Sequence, residues 1–320
     1  MSVHKAALIE VFTLENEFLK IEVLNYGAII KSLKLKLEHE ESQELVVGHH
    51  EVLLYLEDPW FLGACLGPFS GRIKRKNALT NTVDFPENTK KIELHGGKQA
   101  YSKQFWQLEK IGSGAAPFIC LSYSQQVQQE RVSNHKALKS GTIKTLLTYS
   151  LINSELKISY NSTSTIPQVF NLSNHSYFIL DQAQDVSDYL LEINAFHRIQ
   201  TDHQLLPTGK LLSLKNDAYH FSPPKKINQI RLDTPFVLNH KSELGQRAAS
   251  LYSEKSKLRM EVYTDQEILV CFTPQDFTGI CFETQGYPDA PSHENFKTIV
   301  IDKDRPYQQE TRYKFEKTAE

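Results

Sequence analysis

"FLKIEVLNYGAIIKSLKLKLEHE", residues 18–40, decides the fold class. It consists of period-2 stretches interrupted at Gly27, and its second half alternates Leu33, Leu35 and Leu37 with lysines. Successive side chains of a strand point to opposite faces. The segment is therefore a strand, a turn or bulge, and a second strand, each apolar on one side only. Short alternating runs of the same kind recur as "TLLTYSLI", "ELKISYNSTST", "DYLLEINAFHRI" and "KLRMEVYTDQEILVCFT", separated by Gly, Pro, Asn and Asp clusters. Hardly any window carries the i, i+3, i+4, i+7 apolar stripe of a helix, so helices should be few and short. The polar excursion 125–142, "QQVQQERVSNHKALKSGT", is expected to be a long hairpin loop. No repeat, low-complexity tract or linker divides the chain, and the expectation is one all-β domain spanning residues 1–320, a large antiparallel β-sandwich.

Bulk composition agrees and narrows the function classes. The 320 residues are 40% hydrophobic and 23% charged, ordinary for a globular protein. Seventeen Phe and fourteen Tyr against two Met and two Trp favour sheets with aromatic faces over packed helices. A net charge of −2 gives no electrostatic reason to expect a nucleic-acid or membrane partner. No apolar run approaches the roughly 20 residues of a membrane helix. The start "MSVHKAALIEVF" lacks an h-region and a cleavage site. Cys65, Cys120, Cys271 and Cys281 are far apart and form no C-x-x-C pair, so they read as reduced thiols of a cytoplasmic protein.

Five stretches carry groups that sit oddly in strands or turns. In "NLSNHSYFIL" (171–180), read as a strand, Asn171, Ser173, His175 and Tyr177 share a face made of hydrogen-bonding groups, with Asn174 and Ser176 between Leu172 and Phe178 opposite. Such a face suits the floor of a polar pocket. In "ELHGGKQAYSKQFW" (93–106), His95 precedes two glycines, which permit tight turns and close approach of a ligand; a plain turn with a surface histidine is the alternative. In "GICFETQGYPDAP" (279–291), Cys281, Glu283 and Gln285 share one face, leaving Glu283 either solvent-facing or in a cavity. "LGPFSGRIKRKN" (66–77) sets Arg72 beside Ile73, where it could point inward, and ends in the basic turn Lys74–Arg75–Lys76. "RLDTPFVL" (231–238) puts Asp233 at a loop-to-strand step, either an Asx turn or a site carboxylate. No G-x-S-x-G, P-loop or G-x-G-x-x-G occurs. No H-x-x-x-H or H-x-H pair exists, and the adjacent histidines of "GHH" (48–50) would diverge on a strand, so the spacing lends a metal site little support.

Taken together, "NYGAIIKSL", "GRIKR", "LHGGKQAYSKQFW", "NLSNHSYF", "DTPF" and "CFETQGYPDA" occur in the order found in the aldose 1-epimerases (galactose mutarotases), and "TDHQLLPTGKL" (201–211) resembles that family's loop after its second histidine. The resemblance runs from about residue 20 to about residue 310. It implies a β-supersandwich and cofactor-free exchange of the α and β anomers of free aldohexoses, by a monomer or homodimer. It places Glu283 as the base, His175 as the acid and His95 as the second active-site histidine. It makes Asp233 the carboxylate that holds sugar hydroxyls, with Asn174 and Tyr177 beside the sugar. Arg72 is the binding arginine if "SGRIKR" is laid over the family's N-R-I-A-K; laid over the G-R before it, Lys76 takes that place. The chain departs from the family in "TDQEILVCFT", with Glu267 and Val270 at the usual Pro and Gln positions, and in lacking a glycine before Tyr307. An ionised glutamate and a histidine titrating near neutrality can supply base and acid together, with no metal or nucleotide. Rival readings are a mutarotase of hexose 6-phosphates using the basic turn, a glycoside hydrolase pairing Glu283 with Asp233, and a sugar-binding module, for which an acid–base pair would serve no purpose.

Overall fold

The computed structural model of the chain describes residues 8–37, 41–74, 92–129, 139–239 and 245–318. Residues 18–35 form the expected hairpin, Leu19–Leu24 against Ile30–Leu35, with Val11–Glu15 and Gln43–Glu44 completing a four-stranded sheet. Leu19, Ile21, Val23 and Leu33 are fully buried, each contributing about 1.5–3 kcal/mol of hydrophobic stabilisation. On the opposite face Lys31 and Glu22 pair at 2.7 Å.

Two larger antiparallel sheets make the body. The nine-stranded one runs, in spatial order, Lys225–Lys226, Leu190–Ile193, Arg247–Ser253, Leu258–Thr264, Tyr307–Lys317, Glu155–Ser164, Lys139–Ile152, Phe118–Gln129 and Gln107–Gly112. The six-stranded one runs Tyr177–Phe178, Ile280–Gln285, Ile268–Phe272, Asp233–Leu238, Ala195–Thr201 and Pro207–Ser213. Two of the alternating runs cross between them. "DYLLEINAFHRI" leaves the larger sheet at Asn194, and "KLRMEVYTDQEILVCFT" leaves it at Asp265–Glu267. The crossings tie the layers together, and the layers meet through aromatic side chains: Phe178 packs on Tyr313 at 4.7 Å between centroids, and the Tyr313 hydroxyl donates to the Phe282 carbonyl at 3.0 Å. Helical turns among the described residues are short 3₁₀ segments such as Val52–Leu56 and Ala290–Ser292. None is long and apolar enough to cross a membrane. The four cysteines are free thiols.

Two expectations need correcting. The excursion 125–142 is not all loop, since Gln125–Gln129 and Lys139–Thr142 continue the flanking strands in register from Ile143↔Gln125 to Lys139↔Gln129. Polar side chains there do not prevent pairing, because the backbone supplies the ladder bonds. The stretch 171–178 is not one strand. Ser173–Asn174 pairs with Cys65–Leu66, Tyr177–Phe178 pairs with Cys281–Ile280, and the ladder breaks at His175–Ser176. All eight residues are buried, so the segment has no solvent face for its polar groups.

Candidate active site

Registers across three neighbouring strands build the floor. Val270 lies opposite Glu283, and Pro235 opposite Val270. Directly paired residues share a face, so Glu283, Val270 and Pro235 form a row on the side of the sheet away from the Phe282–Tyr313 contact. Phe272 and Asp233, also paired, form the next row. Above them lies a cavity of about 230 Å³, lined among others by Glu283, His175, His95, Arg72, Asp233 and Tyr177. Ligand pockets generally run from about 300 to 1,000 Å³, so this one is sized for a single small ring.

Each polar side chain is delivered by a local device. His175 sits at the strand break, its N–H donating to the Ala64 carbonyl at 2.9 Å and its carbonyl accepting from Gly63 at 3.1 Å. The break itself is made by Asn174. Its amide donates to the Gly63 carbonyl at 3.0 Å, and its carbonyl oxygen accepts from the Ser176 N–H at 3.0 Å and hydroxyl at 2.6 Å. Arg72 and His95 arrive on one ribbon, Arg72–Lys74 paired with Ile92–Leu94. The ribbon closes where the His95 N–H donates to the Gly71 carbonyl at 3.0 Å and the Gly71 N–H donates to His95 Nδ1 at 3.1 Å. Gly96 turns the chain there at φ +91°, and a Cβ on it would meet the Gly67 carbonyl oxygen at 2.1 Å, so only glycine fits. Fully buried Asp289 accepts from the Lys74 N–H at 2.9 Å and holds the ribbon to the segment after the Glu283 strand.

Expected site residues thus divide. Glu283, His175, His95, Arg72, Asp233 and Tyr177 are brought together; Tyr177 contributes its ring, because its hydroxyl donates to the Trp60 carbonyl at 3.1 Å. Asn174 does not line the cavity, its amide being committed to the backbone contacts above. Arg72 lines it and faces Asp233 at 3.9 Å, while Arg75 and Lys76 lie outside the described residues. Of the departures, Val270 lines the wall, whereas Glu267 turns away to Lys297 at 2.7 Å. Sequence reasoning passed over Trp60, Phe61, Phe272 and Ser70. Phe61 sits edge-on to His95 at 4.9 Å between centroids. The Ser70 hydroxyl donates to Gln285 Oε1 at 2.6 Å and lies 3.4 Å from Glu283 Oε2. Nothing in their local pattern separates these aromatics from core residues. The "TDHQLLPTGKL" loop did carry a signal, and Thr201, Leu205 and Pro207 reach the wall.

The central pair is His175 Nε2 and Glu283 Oε1, 3.4 Å apart, with both residues 4% exposed. Burial pushes the Glu283 carboxyl up to about 8, reinforced by the Asp233 charge and opposed by the Ser70 hydrogen bond and Arg72. Burial lowers His175 to about 4. Burial also holds His95 well below the usual histidine range, with His175 and Arg72 adding to it, and raises Asp233 against the pull of Arg72. Burial therefore favours the neutral form of the pair, with the proton on the Glu283 carboxyl and His175 uncharged.

His95, His175 and Glu283 offer ligand atoms within 4.8 Å of one another, a grouping the spacing of histidines in the chain did not suggest. The donor set still suits a metal poorly. His95 Nδ1 accepts a backbone N–H, so the neutral ring must carry its proton on Nε2, the atom a metal would need bare. His95 faces the cavity as a hydrogen-bond donor.

Fold and site define an all-β protein whose cavity is organised around one carboxylate–imidazole pair, and comparison with known proteins agrees. The family model described as aldose 1-epimerase matches residues 10–314. Galactose mutarotase of Homo sapiens is 26% identical, the match covering 96% of this chain and 94% of that protein; galactose mutarotase of Rattus norvegicus is 25% identical over 96% and 94%. Aldose 1-epimerase of Haemophilus influenzae is 27% identical over 96% and 95%. Among solved structures, the GalM/aldose epimerase homologue from C. elegans superposes with a TM-score of 0.83 at 20% identity, covering 97% of this chain and 100% of that one. Galactose 1-epimerase from Lactobacillus acidophilus superposes at 0.78 with 22% identity over 97% and 95%. The chain belongs to the aldose 1-epimerase family, and it is an isomerase.

Proposed function

We propose that the protein interconverts the α and β anomers of free aldohexoses, with Glu283 as base and His175 as acid. The observation that carries this is the 3.4 Å separation of His175 Nε2 and Glu283 Oε1. The C1 hydroxyl oxygen and the ring oxygen of a pyranose are bonded to the same carbon, so the groups serving them must themselves be neighbours. Glu283 takes the C1 hydroxyl proton while His175 protonates the ring oxygen, the C1–O5 bond breaks, and an open-chain aldehyde results. Rotation about C1–C2 presents the other face, and closure returns both protons. Protons and electrons balance within the sugar and the pair.

Because burial favours the proton on Glu283, that proton first passes to His175 Nε2, 3.4 Å away, to give the carboxylate–imidazolium pair that reacts. Opening then returns the pair to a neutral carboxylic acid and a neutral imidazole, the distribution a low-dielectric cavity favours. The proton count is the same at both ends, so the site never waits on solvent. Each such proton transfer is worth about 10²–10⁴-fold. His95 Nε2–H supports the ring oxygen or a neighbouring hydroxyl, and Arg72 with Asp233 grips the ring edge. Arg72 is already matched by a carboxylate, which favours an uncharged sugar over a hexose phosphate. An imidazole beside Glu283 favours anomer exchange over the two flanking carboxylates of glycoside hydrolysis.

The test is polarimetry on freshly dissolved α-D-glucose and α-D-galactose, with glucose 6-phosphate and methyl α-glucoside in parallel. Acceleration of the free hexoses is expected, and methyl glucoside should stay unchanged. Release of reducing ends from the glycoside, or acceleration of the phosphate alone, would replace this reading.

A further inference from the structure

The two oxygens of the Glu283 carboxyl have different neighbours. Oε1 faces His175 Nε2 at 3.4 Å, and Oε2 faces the Ser70 hydroxyl at 3.4 Å. Ser70 is fully buried and stands behind the cavity wall, although Gly71, Glu283 and Gln285 around it all reach that wall. It does not touch a bound sugar, so any part it takes in the chemistry passes through Glu283.

A serine hydroxyl has one proton to give, and two acceptors compete for this one. Gln285 Oε1 holds it at 2.6 Å, while Glu283 Oε2 lies farther off at 3.4 Å. Asn171 fixes the frame on both sides. Its backbone carbonyl accepts from the Ser70 N–H at 2.7 Å, and its side-chain oxygen accepts from the Gly286 N–H, next to Gln285, at 2.8 Å. With both backbones tied down, the freest motion is rotation of the hydroxyl hydrogen about Cβ–Oγ. Its direction depends on the charge of Glu283. Against a neutral carboxyl the shorter contact to Gln285 prevails. A carboxylate binds a donor about twice as strongly as a neutral acceptor does, enough to draw the hydrogen across.

We propose that Ser70 is a positioning residue for the base, its hydroxyl turning from Gln285 to Glu283 Oε2 when the carboxyl ionises and returning when the carboxyl is protonated. The inference rests on the epimerase reading, in which Glu283 passes between the two forms in every turnover. Ring opening needs the carboxylate in a cavity where burial disfavours it, and Ser70 supplies a hydrogen bond to that charge from behind the substrate. It also occupies Oε2, which keeps the travelling proton on Oε1, the oxygen facing His175.

The test follows mutarotation of α-D-glucose over a range of pH by the wild-type protein, Ser70→Ala and Ser70→Thr, the last keeping the hydroxyl. For Ser70→Ala, kcat should fall about tenfold with KM unchanged, and the upper limb of log kcat/KM should move up by about one pH unit, the equivalent of that factor. The sign follows from losing a donor to the charged form, which leaves the carboxyl harder to ionise. Ser70→Thr should restore both. The imidazoles of His175 and His95, the charges of Asp233 and Arg72, the thiols of Cys271 and Cys281 and the phenols of Tyr177 and Tyr313 face Glu283. All are the same in the three proteins, so the displacement reports on the hydroxyl. Unchanged kcat, a fall in kcat with the upper limb unmoved, or a change in KM alone overturns the proposal. If the alanine variant does not fold, Ser70→Cys, close to serine in size but a weak donor, is held to the same outcomes. If the wild-type protein turns over no sugar, the epimerase reading fails instead, and the infrared band of the buried carboxyl, identified by its loss in Glu283→Gln, decides Ser70 separately. A higher titration midpoint in Ser70→Ala then retains the hydrogen bond to the carboxylate, and an unmoved one removes it.

Discussion

Two buried polar segments meet at the cavity and differ in what their polarity does. Ile280–Gln285 is a regular inner strand, paired on both sides, with its carboxylate turned into the cavity. Residues 171–178 form a broken strand whose amides and hydroxyls are mostly committed to backbone. Asn171 accepts from the Gly286 N–H at 2.8 Å, Ser173 donates to the Thr284 carbonyl at 3.0 Å, and Asn174 closes the turn at Ser176. Only His175 is aimed at the site, with Tyr177 supplying a ring wall. The lesson is that a buried polar side chain either completes the hydrogen bonding of the fold or is left poised for a ligand. The two kinds lie side by side in the same eight residues.

The difference can be broken by substitution, and the largest effect is on turnover. Glu283→Gln and His175→Asn should each cut kcat by about 10²–10⁴ while sugar binding persists, read by polarimetry and calorimetry. Near-normal turnover in either variant removes that residue from the proton exchange.

Stability should move the opposite way for Glu283. Its carboxyl, ordinarily near 4.5, is raised to about 8 in the fold. Below pH 4.5 it is protonated both folded and unfolded. Between 4.5 and 8 the unfolded chain ionises and the native site does not, so the native state loses stability as pH rises through that window. Glu283→Gln should therefore gain a few kcal/mol over wild type at pH 8 and almost nothing at pH 4.5, measured by urea denaturation at both. For Asn174→Ala a loss of roughly 1–3 kcal/mol is expected, because the buried Ser176 N–H and hydroxyl lose their acceptor and the Gly63 carbonyl keeps only its bond from the Ile30 N–H. Its folded fraction should keep a kcat within a few-fold of wild type. A loss of activity without a loss of stability would move Asn174 into the site.

The smallest effect concerns the shared proton. The logarithm of kcat/KM against pH should be flat between limbs near 4 and 8, falling about tenfold per unit outside them. A limb near 6.5 would mean that His175 titrates as an exposed histidine.

Alternation along residues 18–40 and the recurring runs were enough for the all-β class, because period-2 patterning needs only one buried face per strand. The ordered motifs were enough for the family and for six of the residues that line the cavity, the Glu283–His175 pair among them. Local pattern could not separate Asn174 from His175, or show that "DYLLEINAFHRI" passes from one sheet to another, since both depend on partners outside the segment itself. The 3.4 Å meeting of residues 175 and 283 and their opposed displacements from ordinary acidity were decided by tertiary structure alone. Distances between distant segments, and the loss of water around them, exist only once the sheets have packed.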